Sequence, residues 1–165
     1  MLKDVIHILI DPIIHILNLS FRTGYIPATL KCAKIIPIYK ADDRDRFNNY
    51  RPISILPTLS KLMEKIVAIQ MYRYLNKHKI LYEHQYGFRS KHNTNQPLLQ
   101  LLSKIYEGFN SPTSKYTISI FIDLKKAFDT CNHSILIDKL QYYGFHGTAK
   151  LWFKNYLQDR TQFVN

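Results

Sequence analysis

The sequence predicts an α+β fold, and three patterns predict it. Residues 33–39 (Ala-Lys-Ile-Ile-Pro-Ile-Tyr) alternate and carry β-branched side chains, as a half-buried strand does. Leu59, Leu62, Met63, Ile66, Ile69 and Leu75 recur near 3.6-residue spacing, the period of a helix with one apolar face. Tyr116 to Ile122 is an apolar run that stops abruptly at Asp123, where a turn with two lysines begins. A chain of 165 residues is long enough for one domain with a real core.

At the N-terminus, residues 5–19 are rich in Ile and Leu but are interrupted by Asp11, Pro12 and two histidines. The stretch reads as too short and too broken for a membrane span. Acidic Asp4 and the lack of a small-residue cleavage site argue against a signal peptide. The expectation is an amphipathic helix over about 5–20, entered near Asp11-Pro12 with proline at an early helical position. Thr23 to Pro27 is a turn. The strand 33–39 contains Pro37, which favours an edge position. Residues 40–50 form a charged loop, and Arg51 to Leu56 is a second short strand that pairs with the first across it.

The long helix spans Thr58 to about Lys77, with Thr58 as its N-cap. Lys61, Lys65 and Arg73 make its other face basic, either for solvation or for contact with nucleic acid. Tyr82 to Arg89 is a loop or short strand around Gly87, and Gln96 to Tyr106 a helix with Gly108 as C-cap. Ser111 to Ser114 is a turn, followed by a strand over 116–122. Asn132 caps a helix over about 133–142 that Gly144 ends. Thr148 opens a last helix carrying Leu151, Trp152, Tyr156 and Leu157, and 161–165 begins another strand. No internal repeat or low-complexity tract is present.

Composition narrows the function. Hydrophobic content of 46% with 21% charged residues describes a folded chain rather than a disordered one. Lysine and arginine number 23 against 12 acidic residues, leaving a net charge of +11. That balance points to a polyanionic partner, most often nucleic acid; the alternative is a basic protein with no such partner. Cys32 and Cys131 belong to no CxxC pattern and read as reduced packing residues of an intracellular protein. The histidines show no metal spacing, and His84 and His92 read as surface or loop residues.

Asp123 carries the chemistry. An unpaired buried carboxylate is costly, so a strand does not end in aspartate for packing reasons. A carboxylate at the tip of a rigid strand is placed to hold a divalent metal, as phosphoryl transfer requires. The competing reading is an ordinary surface-turn aspartate.

Four blocks, in order, resemble the N-terminal part of the reverse transcriptase domain of non-LTR (LINE-type) retrotransposons. They are Leu19-Ser20-Phe21-Arg22-Thr23-Gly24-Tyr25-Ile26-Pro27 leading to Ile36-Pro37-Ile38-Tyr39-Lys40; Asn49-Tyr50-Arg51-Pro52-Ile53-Ser54-Ile55-Leu56; Gln85-Tyr86-Gly87-Phe88-Arg89; and Phe121-Ile122-Asp123-Leu124-Lys125-Lys126-Ala127-Phe128-Asp129, running on to Trp152-Phe153. Each block alone is weak, but together they span nearly the whole chain. The resemblance implies a partial right-hand polymerase, with helices packed on a small antiparallel sheet. Residues 1–115 would be mainly fingers and 116–165 the start of the palm, with the thumb and the rest of the palm absent.

The resemblance also implies roles. Asp123 matches the first catalytic aspartate, which binds two Mg2+ ions in the complete enzyme, and the Leu124 backbone carbonyl would join one of them. Lys40 and Arg51 match residues that grip the incoming triphosphate, although Lys40 fits a solvated loop residue equally well. The backbone N–H groups of Lys126 and Ala127 would face the triphosphate. Phe128 matches the aromatic gate that excludes a 2′-hydroxyl; taken alone it would be core. Asp129 receives no metal. Gln85 and Arg89 match a block near the template, with Tyr86 and Phe88 available for base stacking or for packing.

Tyr39-Lys40-Ala41-Asp42-Asp43 resembles the Tyr-x-Asp-Asp hairpin of the family, but it carries an extra residue and precedes the Asp123 block instead of following it. Asp42 and Asp43 therefore read as a solvated loop. The chain stops before the true Tyr-x-Asp-Asp motif, so Asp123 alone is expected to bind Mg2+ weakly or not at all, and the chain alone to be inactive. The implied partners are an RNA template, a DNA primer and deoxynucleoside triphosphates, with no membrane and an intracellular, by family nuclear, location. The alternative function is a catalytically dead nucleic-acid-binding remnant or a relic without function.

Overall fold

The computed structural model describes residues 2–113, 116–124 and 126–164. Ser114, Lys125 and Asn165, which the sequence places in a turn, the Asp123 turn and a starting strand, lie outside them. The chain forms two compact units, residues 1–71 with 131–165, and residues 72–130.

The first unit begins with α1, Leu2–Thr23. The helix starts before residue 5 and runs straight through Pro12, which forfeits one backbone bond without ending it. This corrects the expectation of a short, broken segment: α1 is long and apolar enough, by length and composition, to cross a membrane. Its later turns pack into protein. Leu17 and Ser20 are buried, with Ile13 and Phe21 against the same core. Their spacing of three, four and seven places them on one helical face.

Gly24 ends α1 with φ +68°, a region that glycine enters without strain. A Cβ there would also lie 2.9 Å from Leu151 Cγ, so space as well as conformation requires glycine. The next turn is pinned from both sides. Ser20 Oγ donates to the Tyr25 carbonyl at 2.7 Å, and Ile26 N donates to Asn155 Oδ1 at 2.8 Å. Ile26 is thereby buried beside Leu17, Met63 and Trp152, the centre of the core.

A three-stranded sheet follows, ordered β2-β1-β3. Strands β1 (Cys32–Tyr39) and β2 (Tyr50–Ile55) are antiparallel, while β3 (Thr161–Phe163) lies parallel to β1. The sheet is therefore mixed rather than wholly antiparallel. β1 is its central strand, contrary to the edge position that Pro37 favoured. Two features admit that proline. Lys40 N bonds to Asn49 O, so by alternation Pro37 and its partner Pro52 fall where backbone nitrogens point away from each other. β3 pairs β1 only as far as Lys34, short of Pro37.

Helix α2 (Thr58–Lys77) matches its expected span. Lys61 N donates to the Pro57 carbonyl, so Thr58 is the first helical residue and not the cap. Helices α4 (His133–Tyr142) and α5 (Gly147–Leu157) complete the first unit. Asn132 caps α4 as expected, its Oδ1 accepting from Ser134 N at 2.9 Å and Ile135 N at 3.3 Å. Gly144, at φ +97°, ends it. Trp152 of α5 is the hub of the core. It stacks on Tyr156 with ring centroids 5.3 Å apart, tilts against Phe21 at 5.9 Å, and donates from Nε1 to Ser20 Oγ at 3.1 Å.

The second unit holds α3 (Asn95–Phe109), longer than expected at both ends. Gly108 lies inside this helix instead of capping it. A Cβ on it would collide with Thr117 Oγ1, so this glycine provides close approach rather than a turn. The expected strand over 116–122 does not form. The described residues 116–124 belong to no strand and are exposed, and the three strands of the sheet are all drawn from the first unit.

Candidate functional site

The candidate residues fall into three groups. In the first, Lys40 and Arg51 stand at the far end of the β1–β2 hairpin. Arg51 is opposite Ile38, and Lys40, two residues on, bonds through its N–H to Asn49 O at 2.8 Å. Side chains two apart share a face, so Lys40 and Arg51 are diagonal neighbours on one side of the sheet. Both are exposed, and neither makes an ion pair among the described residues. Two adjacent unpaired cations are suited to an oligophosphate.

The intervening loop is ordered by its own polar groups. Tyr39 and Tyr50 meet edge to face at 5.7 Å. The Tyr39 hydroxyl donates to the Asp42 carbonyl, and Tyr50 donates to the Arg44 carbonyl at 2.9 Å. Arg44 lies 5.2 Å over the Tyr39 ring. Asp42 takes a left-handed φ of +71°, and the Asp43 carboxylate faces Arg46 at 3.9 Å. Both are exposed loop residues, as the solvated-loop reading expects.

The second group is the loop 82–89. Gln85 Nε2 donates to the Gly87 carbonyl at 3.1 Å, and Arg89 Nη1 donates to the Tyr82 carbonyl at 2.9 Å and that of Gln85 at 3.4 Å. Tyr86 donates to Gln100 Oε1 at 2.5 Å, and Gln100 reaches His84 Nδ1 at 2.9 Å, so α3 anchors the loop. Phe88 sits at φ +59° with its ring 84% exposed.

The third group is the Asp123 segment. Asp123 and Leu124 are exposed and not at a strand tip, since no strand forms there. A turn follows over 126–130, with Lys126 at φ +54° and Thr130 N donating to the Lys126 carbonyl at 3.1 Å. Phe128 is 80% exposed, so its alternative reading as a core residue is set aside. Its ring meets that of Phe88 edge to face at 6.0 Å. The structure thus brings Phe128 together with the Gln85–Arg89 block. Tyr72, which no sequence pattern singles out, fixes that block through a 2.6 Å bond from its hydroxyl to the Phe88 carbonyl. Helical periodicity explains Tyr72's place on α2 but carries no signal of a bond to the later loop.

Asp123 and the Leu124 carbonyl are hard oxygen donors of the kind Mg2+ prefers. Among the described residues, no three His, Cys, Asp or Glu side chains gather into a metal-binding cluster. Cys131 is exposed and Cys32 half-buried, so only Cys32 fits the packing role expected of both.

Comparison with known proteins gives a consistent result. The family model described as reverse transcriptase (RNA-dependent DNA polymerase) matches residues 38–165. The chain is 34% identical over 152 residues to a probable RNA-directed DNA polymerase from transposon BS of Drosophila melanogaster, covering 88% of this chain and 16% of that protein. It is 30% identical over 165 residues to the RNA-directed DNA polymerase from mobile element jockey of the same species, covering 97% of this chain and 18% of that protein. A retrovirus-related Pol polyprotein from type-1 retrotransposable element R2 of Popillia japonica is 26% identical over 144 residues, covering 87% of this chain and 19% of that protein. The chain thus spans less than a fifth of the length of these relatives.

Proposed function

Because the chain belongs to the reverse transcriptase family, we propose that it supplies the nucleotide-gripping and first metal-binding elements of an RNA-directed DNA polymerase from a non-LTR retrotransposon. Residues 1–115 are mainly fingers and 116–165 begin the palm. The observation that carries the reading is the diagonal placement of Lys40 and Arg51 on one face of the β1–β2 hairpin. Two cations held side by side, with no ion pair among the described residues, suit the negative charge of a triphosphate.

Arg51 contributes a planar fork that can hold two phosphate oxygens, and Lys40 a movable point charge. The N–H groups of Lys126 and Ala127 donate to phosphate oxygens from the turn after Leu124. Phe128 offers a bulky ring against which a deoxyribose fits and a ribose 2′-hydroxyl does not. Gln85 and Arg89 contact the template strand. Asp123 and the Leu124 carbonyl would hold Mg2+. When bound, that ion would neutralise phosphate charge and make the primer 3′-hydroxyl more acidic. One carboxylate is too small a ligand set for two such ions, so Asp123 needs further carboxylates beside it for primer extension. RNA template, DNA primer and deoxynucleotides are its partners, and the setting is intracellular and nuclear.

The test is primer extension on RNA with a chimaera in which this chain replaces the matching stretch of the jockey polymerase. Extension is expected, and Asp123→Asn should lower it by more than about 100-fold, beyond the usual cost of disturbing a ligand's support. Undiminished extension by Asp123→Asn would sink the assignment.

A further inference from the structure

We propose that the hollow at the C-terminal end of α2 receives one unstacked base of a single-stranded RNA, with Lys79 and Arg89 holding its flanking phosphates. The inference rests on the template-contact reading of the Gln85–Arg89 block and gives that block a ligand of defined shape.

The hollow has a volume of about 580 Å3, within the range of small-ligand pockets. Its floor is apolar, with Leu75 buried and Ile80 and Leu81 half-buried. Its rim supplies what a nucleobase needs. Tyr82 is 70% exposed, and its ring is steadied by His84 at 5.2 Å, leaving aromatic surface for stacking. The Asn76 amide at the rim carries both a donor and an acceptor for a base edge. The Glu83 carboxylate, 3.5 Å from His84 Nε2, can accept from an exocyclic amine.

The cations are set at defined places. Arg89 uses Nη1 on the Tyr82 and Gln85 carbonyls, and its other nitrogens make no hydrogen bond among the described residues. Lys79 owes its position to how α2 ends. Ile80 N bonds to Leu75 O at 2.9 Å and Lys79 N to Asn76 O at 3.2 Å, a pair of bonds that closes a helix on a left-handed residue. Glycine is favoured there. Helix α4 closes with the same pair, Phe145 N to Leu140 O and Gly144 N to Gln141 O, and has Gly144 at that position. Lys79 accepts φ +52° instead. Helix termination accounts for the left-handed conformation, and a phosphate-binding role accounts for a cation, rather than glycine, at the mouth of the cavity.

A duplex keeps its bases stacked and cannot fill such a hollow, so the proposal separates single strands from duplexes. The test is fluorescence anisotropy of the 165-residue chain with a labelled 10-nucleotide RNA, single-stranded or annealed, over a salt series. Tyr82→Ala should weaken single-strand binding roughly 5- to 150-fold, the value of one aromatic–base stack, and leave duplex binding unchanged. Tyr82→Phe should restore it. Lys79→Gly should reduce the salt dependence by about 0.7 in log–log slope, one phosphate contact on a single strand. Unchanged single-strand affinity in Tyr82→Ala, or an equal loss for duplex, would overturn it while leaving the template reading intact. If the unsubstituted chain binds neither RNA, the template reading falls with it.

Discussion

Trp152 and Phe88 are both large aromatics in segments the family resemblance singles out, yet Trp152 is 4% exposed and Phe88 84%. The contrast extends to the units that hold them. Around Trp152 the first unit buries Leu17, Ile26 and Met63 and packs a ring of half-buried apolar side chains against them. In the second unit Leu75 is the one buried hydrophobic side chain among the described residues. That unit is held instead by tethers, such as Tyr72 to the Phe88 carbonyl, Tyr86 to Gln100, and Arg89 to the Tyr82 carbonyl. Exposed polar bonds are each worth about 1 kcal/mol net, whereas burial of a large apolar side chain contributes about 1.5–3 kcal/mol. The half bearing Asp123, Phe128 and Arg89 is therefore the half that opens more easily, as ligand-binding regions tend to be.

The largest test of that contrast removes its anchor. Trp152→Ala deletes the hub of the first core and the donor to Ser20, and should destabilise that unit by about 3–5 kcal/mol. Urea unfolding measures the loss. Hydrogen exchange sharpens the comparison, because amides of α1, α4 and α5 should lose protection while those of residues 116–124 exchange fast before and after the change. Protected amides over 116–124 in the unsubstituted chain would show a strand there and erase the contrast.

A smaller effect lies at the edge of the same core. Tyr156 has its phenol pushed up to about 12, first by burial and then by the hydrogen bond to Glu64, 2.6 Å away. The folded state holds this proton more tightly than the unfolded chain, whose value is near 10. The stabilisation is therefore complete below about pH 10 and is lost as pH rises toward 12. Absorbance near 295 nm should show a late-ionising tyrosine that Tyr156→Phe removes. Stability that falls no less steeply over this window in Tyr156→Phe would assign the alkaline loss to other groups.

Local signals in the sequence were legible where both partners of an interaction lie close together. Asn132 and Gly144 bracket α4 because a cap needs only its own helix. The β1–β2 hairpin could be read because an alternating run and a second short strand flank one loop. Patterns that depend on a distant partner misled. The apolar run over 116–122 says that the residues suit a strand, but it cannot say that a neighbouring strand is present. The parallel pairing of β3 with β1 joins segments near opposite ends of the chain, and no local pattern encodes it. Gly108 and Pro12 misled for another reason. Glycine serves close approach as well as turns, and proline costs a helix one bond without ending it. For the site, Lys40 and Arg51 came together as expected from their blocks, whereas the meeting of Phe88 with Phe128 had no periodic signature.

The finest comparison sets the two helix ends side by side, since α2 and α4 close with the same bonds on Lys79 and Gly144. A non-glycine residue in the left-handed region costs about 1–2 kcal/mol, and the extra freedom glycine loses on folding offsets about 0.5–1 of it. Lys79→Gly should therefore stabilise the chain by about 0.5–1 kcal/mol, and Gly144→Lys should destabilise it by a similar amount. Both are read from urea midpoints. If Lys79→Gly also flattens the salt dependence of RNA binding, the lysine is retained for its charge at a measurable cost in stability. If it destabilises instead, the lysine stem is packing against the end of α2, and the two helix ends differ for structural reasons alone.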